Sequence, residues 1–269
     1  MAIRLRDRRH DDAAPGKRRL TLSGTALKWT GFLLTCISTL GISILQKGLL
    51  KSDTYASVED FTAAIADPAN GLSALTSAML SCAMIASMAL PLYVKLVYEG
   101  WKRMEDRKPL FIRLALCALI SEVPYDLAMR AKVLDFDVQN PVFGLLICAV
   151  MLEVLRIPKP RSRLLSGSLQ ILVILGALAW ALLLQVYLGV QMVLLVTLFY
   201  FLEGNRNLST LGGVLLTWTQ FPAPLGMLFA HWYEADETKD GKYPDLFYIL
   251  YPAQLLVLGS IGLLVGRMA

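Results

Sequence analysis

Glu122 and Asp126 fall inside an apolar stretch of the chain, one helical turn apart and on one face, with Pro124 between them. A charge in hydrocarbon is costly, so ionisable groups in such a stretch are candidates for function. Two carboxylates this close in a low dielectric repel, an arrangement on which acid/base sites are built. Pro124 frees a backbone carbonyl and can kink the helix. Both carboxylates sit in the outer part of the stretch, so a second reading stays open: carboxylates at the membrane interface. Arg113, three residues into the other end, is either an anchor or a cation that reaches the phosphates of a cytoplasmic ligand. It does not pair with Glu122, because nine residues put ~13 Å of helix axis between them on opposite faces.

Other polar groups have simpler readings. Lys95 and Glu99 are four apart and pair on one face. Glu153 is placed to pair with Arg156, and Lys28 is a cytoplasmic anchor. Asn140-Pro141 has the form of a helix N-cap followed by proline at the first position. Cys36, Cys82, Cys117 and Cys148 lie singly in apolar stretches with no CxxC spacing, which points to packing and to neither disulfides nor zinc. His10 and His231 lie outside the apolar blocks, so no metal site is expected. P-loop, GxSxG, HExxH and dinucleotide fingerprints are absent.

The elements that carry these groups follow from hydropathy. Of 269 residues, 56% are apolar and 17% charged, against about a quarter charged in soluble domains. Residues 72–94 and 164–202 hold no charge, and blocks of that length read as membrane-spanning helices. The expected fold is an all-α polytopic membrane helix bundle with about eight transmembrane helices: 27–46, 72–94, 110–129, 140–156, 164–184, 187–203, 209–230 and 245–266. Residues 1–26 form a basic cytoplasmic tail, expected to be disordered against anionic headgroups, and 27–269 form one transmembrane helical domain. Basic segments (4–28, 95–108, 156–163) alternate with acidic or neutral ones, which orients the bundle with both termini in the cytoplasm. Residues 55–66 are expected as a short outer surface helix. The rows Ser73/Ser77/Ser81 and Ala74/Ala78/Cys82/Ala86 are expected to pack helices closely. Phe221-Pro222-Ala223-Pro224 must break the seventh span, and broken membrane helices line cavities or form kinks.

Several segments in order resemble the TraX family of bacterial membrane proteins, whose founding member acetylates the N-terminus of conjugative pilin. They are Leu27-Lys28-Trp29, Leu90-Pro91-Leu92-Tyr93 with Glu99-Gly100, Arg113-Leu114, Ser121-Glu122-Val123-Pro124-Tyr125-Asp126-Leu127, Gln139-Asn140, and Phe247-Tyr248 through Tyr251-Pro252-Ala253-Gln254-Leu255. The resemblance runs from residue 27 to about 258. It departs at two places: the family's Asp-His pair in the first span is Ser38-Thr39 here, and its C-terminal His is Gln254. Neither Thr nor Gln takes and returns a proton near neutral pH as imidazole does.

The resemblance implies an acyltransferase-type protein of the cell membrane, multi-pass, in the bacterial inner membrane. Cytoplasmic acyl-CoA is the donor, a peptide N-terminus or envelope molecule the acceptor, and the lipid bilayer the one other partner; no nucleic acid and no metal are expected. Lys95 and Arg113 would meet the donor's phosphates, Glu122 or Asp126 would supply the base, and Asn140, Gln254, Ser38 and Thr39 would line the substrate site. Two other classes stay open: a non-catalytic descendant acting as membrane scaffold or binding protein, favoured by the missing His residues, and a small transporter, suggested by the Pro222/Pro224 break.

Overall fold

A computed structural model describes residues 22–67, 71–158, 160–233 and 245–268. Most of the basic tail therefore lies outside the described residues. Within them the chain is all-α, with two isolated bridges, Leu22–Tyr233 and Gln139–Val186, and no strand. The helices are α1 (Gly24–Thr39), continued by a π-helix over Leu40–Leu49, α2 (Val58–Ala66), α3 (Leu72–Ser87), α4 (Ala89–Arg103), α5 (Lys108–Arg130), α6 (Pro141–Arg156), α7 (Arg163–Leu183), α8 (Gly189–Phe201), α9 (Arg206–Thr217), α10 (Ala223–Trp232) and α11 (Leu246–Met268).

Local chemistry sets their ends. Ser23, Ser57, Asn140 and Asn205 each accept from a backbone N–H of the helix they open, at 2.9–3.2 Å. Pro91 cannot donate to the carbonyl of Ser87, and the helix divides there into α3 and α4 at Met88. Pro124 does not divide α5, which runs unbroken to Arg130. The π turns at the end of α1 carry a Leu50 N–H to Leu45 carbonyl bond of 2.8 Å. They bring Gly41 against Cys82 of α3 and Gly48 against Gly262 and Val265 of α11. A side chain at either glycine would hold these helices apart.

The core is shared by α4, α5, α6, α8 and α10, with Val94, Leu114, Leu152, Val193 and Met227 almost fully enclosed. On α7 only Ala177 and Ala181 are buried, while Leu164, Leu172 and Leu183 face outward. An apolar helix exposed in this way suits contact with lipid, not water. The expected serine row does not pack: Ser73, Ser77 and Ser81 are exposed, and the hydroxyls of Ser77 and Ser81 bond back to the carbonyl four residues earlier. The expected surface helix is α2, which buries no residue.

Among the described residues, four helical segments are long and apolar enough by themselves to cross a membrane: Gly24–Leu49, Leu72–Arg103, Arg163–Leu183 and Leu246–Met268. That is fewer than the eight expected. The physical reasons differ by element. Helix α5 has the length but carries five charged residues, whereas α6 and α8 have only 16 and 13 residues.

The expected seventh span is not one helix. After α9 the chain turns through Trp218–Phe221 and comes back as α10, antiparallel to α9. Thr210 faces His231 at 2.7 Å, Gly213 lies against Met227, and the Arg206 guanidinium donates to the Tyr233 carbonyl at 3.0 Å. The two ends of the stretch thus meet. The arms have 12 and 10 residues, about 18 and 15 Å of axis, short of the ~30 Å hydrocarbon layer. At the tip, the Gln220 amide donates to Gln191 of α8 at 2.7 Å, and Ser87 donates to the Gln220 carbonyl at 3.1 Å.

The hairpin also bears on the direction of α11. Because the chain returns to the end it left, α11 starts beside the start of α1. The rings of Trp29 and Phe247 are 5.2 Å apart, and further along Ser43 donates to the Leu258 carbonyl at 3.2 Å. Helices α1 and α11 therefore run parallel. The described ends, Leu22 and Met268, lie at opposite ends of the bundle.

Candidate functional site

The structure places Glu122 and Asp126 at the joint between α5 and α6. Both the side-chain and backbone N–H groups of Asn140 donate to Glu122 Oε2. The same Asn140 amide donates to the Ala118 carbonyl at 2.9 Å, and its Oδ1 caps the Val142 N–H at 2.9 Å. Glu122 thus lies at the N-terminus of α6, where the helix dipole favours a carboxylate. Fully buried Asp126 accepts from the backbone N–H of Asp135 at 2.7 Å. Asp126 holds the 131–139 connection and Glu122 holds Asn140, the residue that follows it, and no hydrogen bond joins the two among the described residues. Glu122 Oε1 and Asp126 Oδ1 are buried without a partner among the described residues.

Within that connection, Lys132 and Arg130 hold Asp135 at 3.0 and 3.1 Å. Lys132 first, then the Asp137 N–H and Arg130, keep its carboxyl down at about 2. A group lowered on folding contributes stability that is complete above its ordinary value near 4 and is lost as pH falls through the folded value. The purified protein in detergent is therefore expected to lose thermal stability between about pH 4 and pH 2, and Asp135→Asn to flatten that part of the profile. An unchanged profile in the variant would remove Asp135 from acid stability.

Thr39 and Gln254 come to one depth in the seam of α1 and α11. The Ser43–Leu258 bond sets the register, and each lies one turn before a partner of that bond. Buried Thr39 spends its hydroxyl on the Thr35 carbonyl at 2.9 Å. Gln254 is buried, with neither amide atom bonded among the described residues. The register of α5 on α11, with Ala128 against Gly259, brings Glu122 to a similar depth. Ser38 is half-buried beside Thr39. Glu122, Asn140, Thr39 and Gln254 thus lie at a similar depth in the bundle. No two of them but Glu122 and Asn140 are in hydrogen-bond contact.

Lys95 and Arg113 were expected to act together, and the structure separates them. Arg113 pairs with Asp245 at the start of α11, 2.6 Å away. Lys95 lines a cavity of about 160 Å³ enclosed by α4, α8 and the α9–α10 hairpin, and Arg113 does not. Lys95 pairs with Glu99 at 2.8 Å and lies over the ring of Phe199. Lys102 pairs with Glu203 at 2.5 Å. Arg206 adds a third cation on the lining and has no carboxylate partner among the described residues. Arg103 closes one edge, donating to the Tyr233 hydroxyl at 2.5 Å. Among the described residues, three cations against two carboxylates leave the lining net positive.

His231 completes the lining. Sequence reasoning set it aside as a residue outside the apolar blocks, yet it belongs to α10. The available signal was the pairing of ends: Arg206 and His231 flank an apolar stretch with Pro-x-Pro at its middle, as a hairpin's two feet would. Among the described residues, no cluster of three or more His, Cys, Asp or Glu side chains is arranged to hold a metal.

A bundle of apolar helices, several turned outward and one folded back on itself around a polar cavity, defines a helical protein of membrane type. The chain belongs to the TraX family, whose family model, TraX protein, matches residues 23–262. No curated protein and no solved structure matches it.

Proposed function

We propose that this TraX-family chain is a multi-pass membrane acyltransferase-type protein that takes acyl-CoA from the cytoplasm and passes the acyl group to a peptide N-terminus or another envelope acceptor. The observation that carries this reading is the net-positive cavity of Lys95, Lys102 and Arg206 at the end of the bundle that holds the basic connections. Cations there attract the donor's phosphates. The imidazole and the hydroxyls of Thr210 and Ser209 give the lining polar groups for its acyl end. In this reading the membrane is crossed seven times, by α1, α3–α4, α5, α6, α7, α8 and α11. The hairpin enters from the cytoplasmic side and leaves on it.

Acetyl-CoA binding by the purified protein in detergent tests the proposal. A charge-assisted hydrogen bond is worth roughly 1.5–3 kcal/mol, so Arg206→Ala is expected to weaken binding about 10- to 100-fold. Arg113→Ala, outside the cavity, is expected to leave it within about twofold. Absence of binding to the unaltered protein would overturn the reading.

A second reading, a non-catalytic scaffold or binding protein, has its own support. Glu122 and Asp126 are engaged with Asn140 and Asp135, and the family's His positions are Thr39 and Gln254. It expects acetyl-CoA to be ignored, or bound and never turned over.

A further inference from the structure

We infer that His231 is the proton acceptor of this cavity, held by Thr210 in the tautomer that carries its proton on Nδ1. The inference rests on the acyl-transfer reading of the same cavity.

The geometry fixes the roles in sequence. Thr210 Oγ1 lies 2.8 Å from the Arg206 carbonyl, one turn earlier on α9, and donates its single hydroxyl proton there. The same oxygen lies 2.7 Å from His231 Nδ1 on the facing arm of the hairpin. With its proton committed to a carbonyl, Oγ1 meets Nδ1 as an acceptor, so Nδ1 carries the ring proton. A neutral imidazole has one N–H, which leaves Nε2 with a free lone pair. The orienting group is thus a threonine hydroxyl, in the place that carboxylates take in many base–orienter pairs. It sets the tautomer without adding charge. The antiparallel hairpin creates the pair, since a straight helix through this stretch would put Thr210 and His231 21 residues apart in sequence, about 31 Å along the axis.

The step this allows is balanced. The acceptor's N–H or O–H attacks the thioester carbonyl of acyl-CoA, and its proton passes to His231 Nε2. The new C–N or C–O bond forms, the C–S bond breaks, and the departing thiolate takes the proton from the imidazolium as free thiol. The imidazole is restored, and no oxidant, reductant or metal enters. His231 is the catalytic group, and Thr210 is a positioning residue.

Two measurements test this on the full chain in detergent. With ¹⁵N-histidine in a His10→Ala background, nitrogen shifts report His231 alone. The expected spectrum is that of the Nδ1-protonated tautomer, with that preference lost in Thr210→Val and restored in Thr210→Ser. A spectrum dominated by the Nε2-protonated form in the unaltered residue would overturn the assignment. The second measurement pairs acetyl-CoA binding with thiol release in the presence of a short peptide bearing a free N-terminus. His231→Asn keeps a donor toward Thr210 and lacks the second nitrogen. Its thiol release at saturating acetyl-CoA is expected to fall by about 10²-fold or more. Thr210→Val is expected to lower release about tenfold, with recovery in Thr210→Ser. Thiol release at the original rate in His231→Asn sinks the base and leaves the acyl-CoA reading standing. Binding without release in the unaltered protein likewise sinks the base and favours the non-catalytic reading. No binding at all sinks the reading from which the inference starts.

Discussion

A cysteine placed at Met268 and one placed at Arg156 will be labelled by a membrane-impermeant reagent from opposite sides of the membrane. The effect is all-or-none, because a position is reached from one side or the other. The expectation follows from the α9–α10 hairpin. Arg206 and Tyr233 are bonded at its foot, so the chain enters and leaves at the same end of the bundle. Helix α11 then starts where α1 starts and runs the same way, as the Trp29–Phe247 and Ser43–Leu258 contacts require. Arg156 ends α6 at the opposite pole, beside Glu153, which is bonded to Trp101 at the end of α4. The charge pattern does not resist this arrangement. Arg267 is the one basic residue at the far end of α11, and acidic residues weigh little in membrane orientation. Labelling of both positions from one side would require the hairpin to be a single crossing, and the cavity would go with it.

Asn140→Ala will cost about 3 kcal/mol or more of stability, read as a large drop in the melting temperature in detergent. Three bonds are lost together: the amide to the Ala118 carbonyl, the amide to Glu122, and the Oδ1 cap on Val142. Asn140 is fully enclosed, so water does not replace them readily. Part of the loss falls on the half-buried Glu122 carboxyl, left with one weak backbone contact at 3.4 Å. Glu122→Gln is expected to be much milder, because a Gln oxygen still accepts from Asn140. If Asn140→Ala melted with the unaltered protein, the α5–α6 joint would not be a determinant of the fold.

The comparison of these two sites shows what hydropathy and spacing can carry. The Lys95–Glu99 and Glu153–Arg156 pairs stand as their spacing required, and Asn140 caps α6. These relations are local: helix geometry alone brings residues three or four apart together. The proximity of Glu122 and Asp126 was equally legible, but their partners were not. Those come from residues 9 and 18 positions away, across a connection whose path local rules do not set. Arg113 illustrates the same limit. Its place near the basic end could be read from the sequence, whereas its pairing with Asp245 depends on which way α11 runs.

By itself, then, the sequence determined that this chain is helical and suited to lipid, where most helices begin, which near neighbours pair, and which family it resembles. Those properties depend on apolar length, proline, caps and one-turn spacing. Only the tertiary structure decided that residues 206–233 double back, that Thr210 meets His231, and that α1 and α11 are parallel. Apolar length is a scalar and carries no direction. Whether a 22-residue apolar stretch crosses or returns is settled by contacts distant in sequence: Gly213 admitting Met227, Gln220 reaching Gln191, and Ser87 receiving the turn.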